Sequence, residues 1–554
     1  MSDRTVREAK NRLAGFNRDR DRILAEVERR VTGRLFAAAE RGGDASLEYA
    51  LNDVCYAEIH RLEAAGRGAR TDLERWRALG GRLRTMSDDD KRRELRDLVR
   101  HYGKDIVGNF DTRVYRFAND VLPAALGFLF SPVAGLREGV RAARELDAHV
   151  QVEGELDVLR DAAERGTLIV TPTHSSNMDS VVIGFALERA GLPPCTYGAG
   201  KNLFTNPFIS FFMRNLGAYR VDRRLRFGLY KEVLKEYSTV LLESGYHSLF
   251  FPGGTRCRSN EVERHLKLGL LGTTVTAYRN NVRAGAPHKR LYVVPTTINY
   301  RLVLEAATLI DDYLAEVGKS RYIIDDDEFS RIGRIVEFVR KILVLEGSVV
   351  VRFGRPLDPF GNDVDDDGES IDRAGRRVDP ASYLRGADGE ITDDDQRDGE
   401  YTKLLGRRLA EVYPRETVFH STHVVARALF DYLATSAGTR DIYRILRVPA
   451  SLLTVPWDRA TAGVAEVVGR IVSDPAAGRL HGALAGMAPA AIIEDALRAL
   501  GSYHTRPIVE RHGDLLVVGD PKLLFYYQNR TSHVDDRRAA ARPDAELRPA
   551  RGLP

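Results

Sequence analysis

A histidine and an aspartate five residues apart, His174 and Asp179, are the side chains of this sequence best suited to acid–base chemistry. Residues at this spacing do not share one face of a continuous helix, where neighbours are three or four positions apart. A turn must therefore join them. The β-branched run TLIVTPT ends just before His174, and an amphipathic helical pattern begins near Asp179. A carboxylate bonded to Nδ1 fixes the histidine tautomer and leaves Nε2 to act as a general base.

Three later stretches have the composition of strand ends followed by basic loops. They are NPFISFFMRNLGAYRVDRR within 201–224, SLFFPGGTRCRSN at 248–260 and LYVVPTTINYRLVLE at 291–305. The second stretch is apolar up to its Pro-Gly-Gly, where a strand is expected to break. Together with the histidine block, they form four blocks in a fixed order, which is more specific than any one of them.

These four blocks resemble those of the glycerol-phosphate acyltransferase superfamily. The family pattern has a His-x4-Asp, a Gly-aromatic-x-Arg stretch, a Phe-Pro-Glu-Gly-Thr-Arg loop and a Val-Pro strand end, and the resemblance covers roughly 166–305. VPTTINYRLVLE and the C-terminal LLFYYQNR are similar to the glycerol-3-phosphate and dihydroxyacetone-phosphate acyltransferases in particular. The resemblance implies transfer of a fatty acyl group to a hydroxyl of glycerol 3-phosphate in phospholipid biosynthesis. The donor is acyl-CoA or acyl carrier protein, and neither a cofactor nor a metal ion is expected.

The resemblance also implies roles for individual residues. His174 removes the proton of the acceptor hydroxyl, and Asp179 orients His174. Backbone N–H groups of Gly253 and Gly254 are predicted to bind an oxyanion. Three arginines are predicted to hold the acceptor phosphate by charge-assisted hydrogen bonds: Arg220, Arg256 and Arg258.

One position departs from the family pattern. The third block of the family has a glutamate where this sequence has Gly253, giving FPGGTR. This departure implies a displaced carboxylate, an altered acceptor or reduced activity. Two alternatives to the main interpretation therefore stay open: an acyltransferase for lysophosphatidate or dihydroxyacetone phosphate, and an inactive lipid-binding relative.

The composition sets the fold class and the domain organisation. The chain has 554 residues, 29% of them charged, and a formal net charge of +4, which does not indicate a nucleic-acid partner. Alternating strand and helix patterns predict an α/β catalytic domain with a mixed sheet at 151–358. Helical regions are predicted on both sides, at 1–150 and 401–554, and an acidic loop or linker at 359–400.

One uncharged apolar segment, VLPAALGFLFSPVAGL at 121–136, is a candidate for contact with a membrane. It is shorter than the roughly 20 residues of a spanning helix, and Pro123 and Pro132 interrupt it. The segment is interpreted either as buried core or as an element that enters one leaflet. The second interpretation predicts peripheral or monotopic attachment to the cytoplasmic face of the membrane.

Overall fold

The structure is a computed structural model that describes residues 12–41, 46–65, 70–117, 149–204, 207–286, 289–317, 349–501, 504 and 506–535. The apolar segment at 121–136 lies outside the described residues, so its interpretation stays a prediction. Within the described ranges, no helix is both long enough and apolar enough to cross a bilayer.

Helices make up most of the described N-terminal region, in agreement with the periodicity of the sequence. They are α1 (Phe16–Glu40), α2 (Leu47–Ala65), α3 (Arg70–Arg82) and α4 (Asp88–Ile106). The start of α4 is set by its sequence, because the Ser87 hydroxyl accepts a hydrogen bond from the amide of Asp90. Acidic side chains fill its first turn, where they interact favourably with the helix dipole.

Strands and helices alternate in the central part of the chain, which confirms the predicted α/β class. The strands are β1 (Val150–Gly154), β2 (Gly166–Pro172), β3 (Thr196–Gly200), β4 (Ala218–Val221), β5 (Ser248–Leu249), β6 (Arg290–Tyr300) and β7 (Val349–Phe353). The helices are α5 (Leu156–Arg165), α6 (Asp179–Arg189), α7 (Pro207–Asn215), α8 (Gly228–Glu243), α9 (Leu268–Arg283) and α10 (Ala306–Val317).

These strands form one mixed sheet in the order β1-β7-β6-β2-β5-β3-β4. Neighbouring strands are parallel except β6 and β7, which are antiparallel. Strands β2, β4, β5 and β6 therefore run in the same direction, and their carboxyl ends meet at one end of the sheet. Open α/β sheets bind their ligands at this end. All four sequence blocks lead to it.

The acidic stretch at 359–400 is folded and does not form the solvated linker that its composition predicts. It contains a small antiparallel sheet of β8 (Asp363–Val364), β9 (Ser370–Ile371) and β10 (Arg377–Val378). Its carboxylates accept hydrogen bonds in tight turns, as Asp365 does from the amides of Asp367 and Glu369. Arg377 also pairs with Asp365. The prediction of a linker was wrong because these aspartates form turns and ion pairs.

Helices dominate again in the C-terminal region, as predicted. They are α11 (Asp395–Glu416), α12 (Ser421–Ser436), α13 (Ile442–Ile445), α14 (Trp457–Ser473), α15 (Pro489–Leu500) and α16 (Pro521–Asn529). The short strands of this region are β11 (Val418–Phe419), β12 (Thr454–Pro456), β13 (Arg479–Leu480), β14 (Val509–His512) and β15 (Leu515–Val518).

Both flanking regions share hydrophobic cores with the sheet. Leu95 on α4 and Val233 on α8 belong to one core. Val294 on β6, Val424 on α12 and Leu524 on α16 belong to another. The helical regions therefore pack against the elements that carry the four blocks. Shared cores do not mark where one domain ends and the next begins, so the predicted domain boundaries stay predictions.

Candidate active site

His174 and Asp179 are in direct contact at the carboxyl end of β2. Nδ1 of His174 lies 2.7 Å from Oδ2 of Asp179. Strand β2 ends at Pro172 and helix α6 begins at Asp179, so the turn predicted from the sequence brings the two side chains together. Because a carboxylate only accepts hydrogen bonds, Nδ1 is assigned the proton and Nε2 keeps its lone pair.

Further donors fix the Asp179 carboxylate in one orientation. The backbone amides of Ser175 and Ser176 donate to Oδ2 at 2.6 and 2.9 Å, and the Tyr300 hydroxyl donates to Oδ1 at 2.6 Å. Asp179 is completely buried. Burial first, and then the charge of Asp179, raise the pKa of Tyr300 well above its usual value, so its hydroxyl stays protonated and donates.

The imidazole of His174 is held against the third block by stacking. Its ring lies 4.3 Å from that of Phe251, with 25° between the ring planes. The side chain keeps 15% of its surface exposed. Nε2 has no hydrogen-bond partner in the part of the chain that the structure describes. It is therefore free to accept a proton from a hydroxyl group that enters the site.

Glu305 connects the histidine turn to an arginine of the third block. Its Oε2 accepts a hydrogen bond from Oγ of Ser176, and its Oε1 accepts one from the amide of Asn177, both at 2.9 Å. Burial raises the pKa of Glu305, and Arg256 lowers it. The Arg256 guanidinium lies 3.5 Å from Oε1, with 29% of its side chain exposed. Glu305 thus fixes Arg256 beside the histidine turn.

A second arginine, Arg223, lies close to Arg256. Burial lowers the pKa of Arg223, and the positive charge of Arg256 lowers it further. The side chain of Arg223 is nevertheless exposed to solvent. Arg223 and Arg256 are called the arginine pair below. Among the described residues, no carboxylate is paired with Arg223. Two neighbouring guanidinium groups of this kind are suited to binding a phosphate group.

The structure separates the three arginines that the sequence assigns to the phosphate. Only Arg256 lies at the histidine turn. Arg220 forms an ion pair with Asp105 on α4 at 3.1 Å, and Arg258 forms one with Glu316 near the surface at 2.7 Å. Arg220 and Arg258 thus already have carboxylate partners, and their predicted roles require these ion pairs to break.

The amides of Gly253 and Gly254 do not form the predicted oxyanion site. The Gly254 amide donates to the carbonyl of Phe251 at 3.0 Å and closes a tight turn in which Gly254 has a φ of 75°. The Gly253 amide lies beside the carboxyl group of Glu263, whose pKa it lowers. Both amides therefore act within the loop, and the sequence-based role is corrected on this geometry.

The structure also accounts for the departure at Gly253. A Cβ atom built on this residue would lie 2.5 Å from Oε2 of Glu263. The loop therefore has a carboxyl group at this point, although it comes from a residue ten positions further along the chain. Of the three alternatives that Gly253 left open, the displaced carboxylate is the one that this geometry supports.

Comparison with known proteins agrees with this geometry. Residues 149–299 match the family model described as Acyltransferase. This part of the chain is therefore similar to acyltransferase domains. The matched residues include His174, Asp179, Arg223 and Arg256, and they end one residue before Tyr300 and six before Glu305.

Curated relatives carry the name glycerol-3-phosphate acyltransferase. The chain is 26% identical to that of Pseudomonas paraeruginosa over 257 residues, which cover 46% of this chain and 27% of the relative. It is 29% identical to that of Xanthomonas campestris pv. campestris over 204 residues, covering 36% and 21%. It is 25% identical to that of Ectopseudomonas mendocina over 362 residues, covering 65% and 38%. The chain therefore spans less than two fifths of the length of these relatives.

A solved structure is also similar to this chain. It is the crystal structure of the 1-acyl-sn-glycerophosphate (LPA) acyltransferase, PlsC, from Thermotoga maritima, with 16% identity and a TM-score of 0.25. The match covers 54% of this chain and 92% of the PlsC chain.

Four residues of the candidate site were not assigned from the sequence: Arg223, Tyr300, Glu263 and Glu305. Arg223 lies two residues beyond the end of β4, and the rule that ligands bind at carboxyl ends of parallel strands favours it over Arg220, which lies within the strand. Tyr300 ends β6, and the same rule points to it. Glu263 had no such signal, because it lies in a loop without regular structure.

Proposed function

We propose that this protein is an O-acyltransferase that moves a fatty acyl group from a thioester to a hydroxyl of glycerol 3-phosphate. One arrangement supports this proposal above all: the His174–Asp179 pair, with Nε2 free, lies at the same end of the sheet as the arginine pair, Arg223 and Arg256. The match to the Acyltransferase family model and the names of the curated relatives agree with it.

The proposed reaction is a direct transfer. Nε2 of His174 takes the proton of the acceptor hydroxyl while the hydroxyl oxygen attacks the thioester carbonyl. The carbon–sulfur bond then breaks, and the leaving thiolate receives the proton from Nε2. Asp179 stabilises the imidazolium that forms between these two steps. No cofactor and no acyl-enzyme enter this scheme, and the donor is acyl-CoA or acyl carrier protein.

The phosphate of the acceptor is proposed to bind between Arg223 and Arg256. Either Arg223→Ala or Arg256→Ala is expected to raise the KM for glycerol 3-phosphate about 10- to 100-fold, because a hydrogen bond to a charged group contributes about 1.5–3 kcal/mol. The KM for the acyl donor should change little. Arg256→Lys should restore only part of the affinity, because lysine lacks the planar fork of arginine.

Initial-rate kinetics with each substrate varied in turn would measure these effects. Arg258→Ala is the matched control, because Arg258 belongs to the same loop but is paired with Glu316. An acceptor KM that stays at the wild-type value in both Arg223→Ala and Arg256→Ala would rule out this phosphate site.

A competition assay tests the choice of acceptor. Purified protein would receive a palmitoyl thioester together with equal concentrations of glycerol 3-phosphate, dihydroxyacetone phosphate and lysophosphatidate, and the products would be separated by mass spectrometry. We expect acylated glycerol 3-phosphate to predominate. If either other product predominated, the compound from which it forms would be the acceptor instead of glycerol 3-phosphate. The absence of all three products would favour an inactive lipid-binding relative.

The product of this reaction is an amphipathic lipid, so we also propose that the protein attaches to the cytoplasmic face of a membrane. The apolar segment at 121–136 is the proposed contact, and anionic lipids would strengthen binding through nearby basic residues.

Flotation with anionic liposomes would test this attachment. The wild-type protein is expected to float, and a Phe128→Asp, Phe130→Asp double variant is expected to stay in the dense fraction with an unchanged circular dichroism spectrum. Failure of the wild-type protein to float would refute the attachment. Unfolding of the variant would instead indicate that the segment is core.

A further inference from the structure

The carboxyl group of Glu263 lies between the histidine turn and the third block, yet it has no role in the proposed reaction. Its Oε1 accepts a hydrogen bond from the backbone amide of His174 at 2.7 Å. Its Oε2 is buried and makes no hydrogen bond of standard geometry among the described residues, although the Gly253 amide lies beside the carboxyl group. Burying a carboxyl oxygen in this way is costly, so a function at this position is worth seeking.

Gly253 is the residue that makes room for this carboxyl group. A Cβ atom on Gly253 would lie 2.5 Å from Oε2, 2.7 Å from Cδ and 2.9 Å from Oε1 of Glu263. Gly254 has a positive φ, which favours glycine, but Gly253 does not. Space for the Glu263 carboxyl group, and not backbone conformation, therefore requires glycine at position 253.

The contact with Glu263 is one of two hydrogen bonds, among the described residues, that join the main chain of His174 to the loop that follows β5. The other is a hydrogen bond from the amide of Cys257 to the carbonyl of His174 at 2.7 Å. The amide and the carbonyl of His174 are thus both held by this loop. The loop also carries Phe251, on which the imidazole stacks, so the position of the loop sets the position of the imidazole.

Burial is the main reason why the Glu263 carboxyl group favours its neutral form. Burial, and then the charge of Asp179, raise the pKa of Glu263 to about 8, against the opposing effects of the His174 amide, Arg530 and the Gly253 amide. The side chains of Tyr413 and Cys257 also face this carboxyl group. At neutral pH the protonated form predominates, and a second negative charge beside Asp179 is avoided. Glutamine, which is neutral and of the same shape, should therefore replace Glu263 well.

We propose that Glu263 is a positioning residue that holds the main chain of His174 in place, and that Gly253 is glycine because the Glu263 carboxyl group fills the space of a side chain there. This inference rests on the proposed acyltransferase function only for its kinetic readout. The hydrogen bond to the His174 amide provides a second readout that does not depend on turnover.

The test is a double-mutant cycle that measures kcat, donor KM and melting temperature. Glu263→Ala is expected to lower kcat about 10- to 100-fold, as a shift of about 1 Å in a catalytic group does, with the donor KM within about twofold of wild type. Gly253→Ala should lower kcat similarly, by displacing the carboxyl group. The double variant should be no worse than Glu263→Ala alone, because the new methyl group then finds empty space.

Two further variants make the cycle specific. Glu263→Gln should keep kcat within about threefold of wild type, because the amide oxygen still accepts from the His174 amide. Glu261→Ala is the matched control, since Glu261 lies in the same loop but is exposed, and it should behave as wild type. A wild-type kcat in Glu263→Ala, or losses that multiply in the double variant, would overturn the proposal.

Selective ¹⁵N-histidine labelling provides the readout that is independent of turnover. The His174 amide resonance, assigned by its absence in His174→Gln, is expected to shift in Glu263→Ala and Gly253→Ala and to stay near its wild-type position in Glu263→Gln. If neither the wild-type protein nor any variant transfers an acyl group, the proposed function fails. The His174 amide resonance alone then tests the positioning role of Glu263. An unshifted resonance in Glu263→Ala would then overturn the positioning role.

Discussion

His174→Ala should lower kcat by about 10²–10⁴-fold, the contribution of a positioned general base. The variant should stay folded, because removing the imidazole leaves the Asp179 carboxylate with its bonds to the amides of Ser175 and Ser176 and to the Tyr300 hydroxyl. The measurement is acyl transfer at saturating concentrations of both substrates, with a thermal unfolding curve for each protein. A folded His174→Ala protein with near-normal kcat would exclude His174 as the base.

Asp179→Asn should lower kcat about 100-fold, a smaller loss than that of His174→Ala. Two backbone amides donate to Oδ2, so the asparagine oxygen is expected to take this place and its NH₂ group to face Tyr300. The imidazole of His174 then keeps its tautomer but loses the negative charge that stabilises the imidazolium. The loss of kcat should therefore reflect charge and not a misplaced ring.

Tyr300→Phe is the control for this effect. It removes the 2.6 Å hydrogen bond to Oδ1 but leaves the charge of Asp179 in place. We expect a lower free energy of unfolding, by about 1–3 kcal/mol, and a kcat within a few-fold of wild type. If Tyr300→Phe lowered kcat as much as Asp179→Asn, the effect would come from the orientation of the carboxylate and not from its charge.

The histidine pair could be predicted from the sequence because its determinants are local. A strand that ends at Pro172, a short polar turn and a helix that begins at Asp179 place the two side chains together without any distant contact. The α/β class followed from periodicity in the same way. The parallel arrangement of the strands then brings the remaining blocks to one end of the sheet.

Long-range contacts explain what could not be predicted. The sequence gives no sign that Asp105, on a helix of the N-terminal region, forms an ion pair with Arg220. The sequence likewise does not show the path of the loop that brings Glu263 against Gly253. The acidic segment at 359–400 was misjudged for a related reason, since composition does not distinguish aspartates in tight turns from solvated ones.

The most direct test of the proposed reaction compares thiol release with product formation in the wild-type protein. An acyl-CoA or acyl carrier protein donor would be supplied with increasing glycerol 3-phosphate, and released thiol, acylated product and the intact mass of the protein would be followed together. Direct transfer to a hydroxyl activated by His174 predicts saturable thiol release that depends on the acceptor, one product molecule per thiol and no acylated protein. Thiol release at the same rate without acceptor, or an acyl group retained on the protein, would contradict the account.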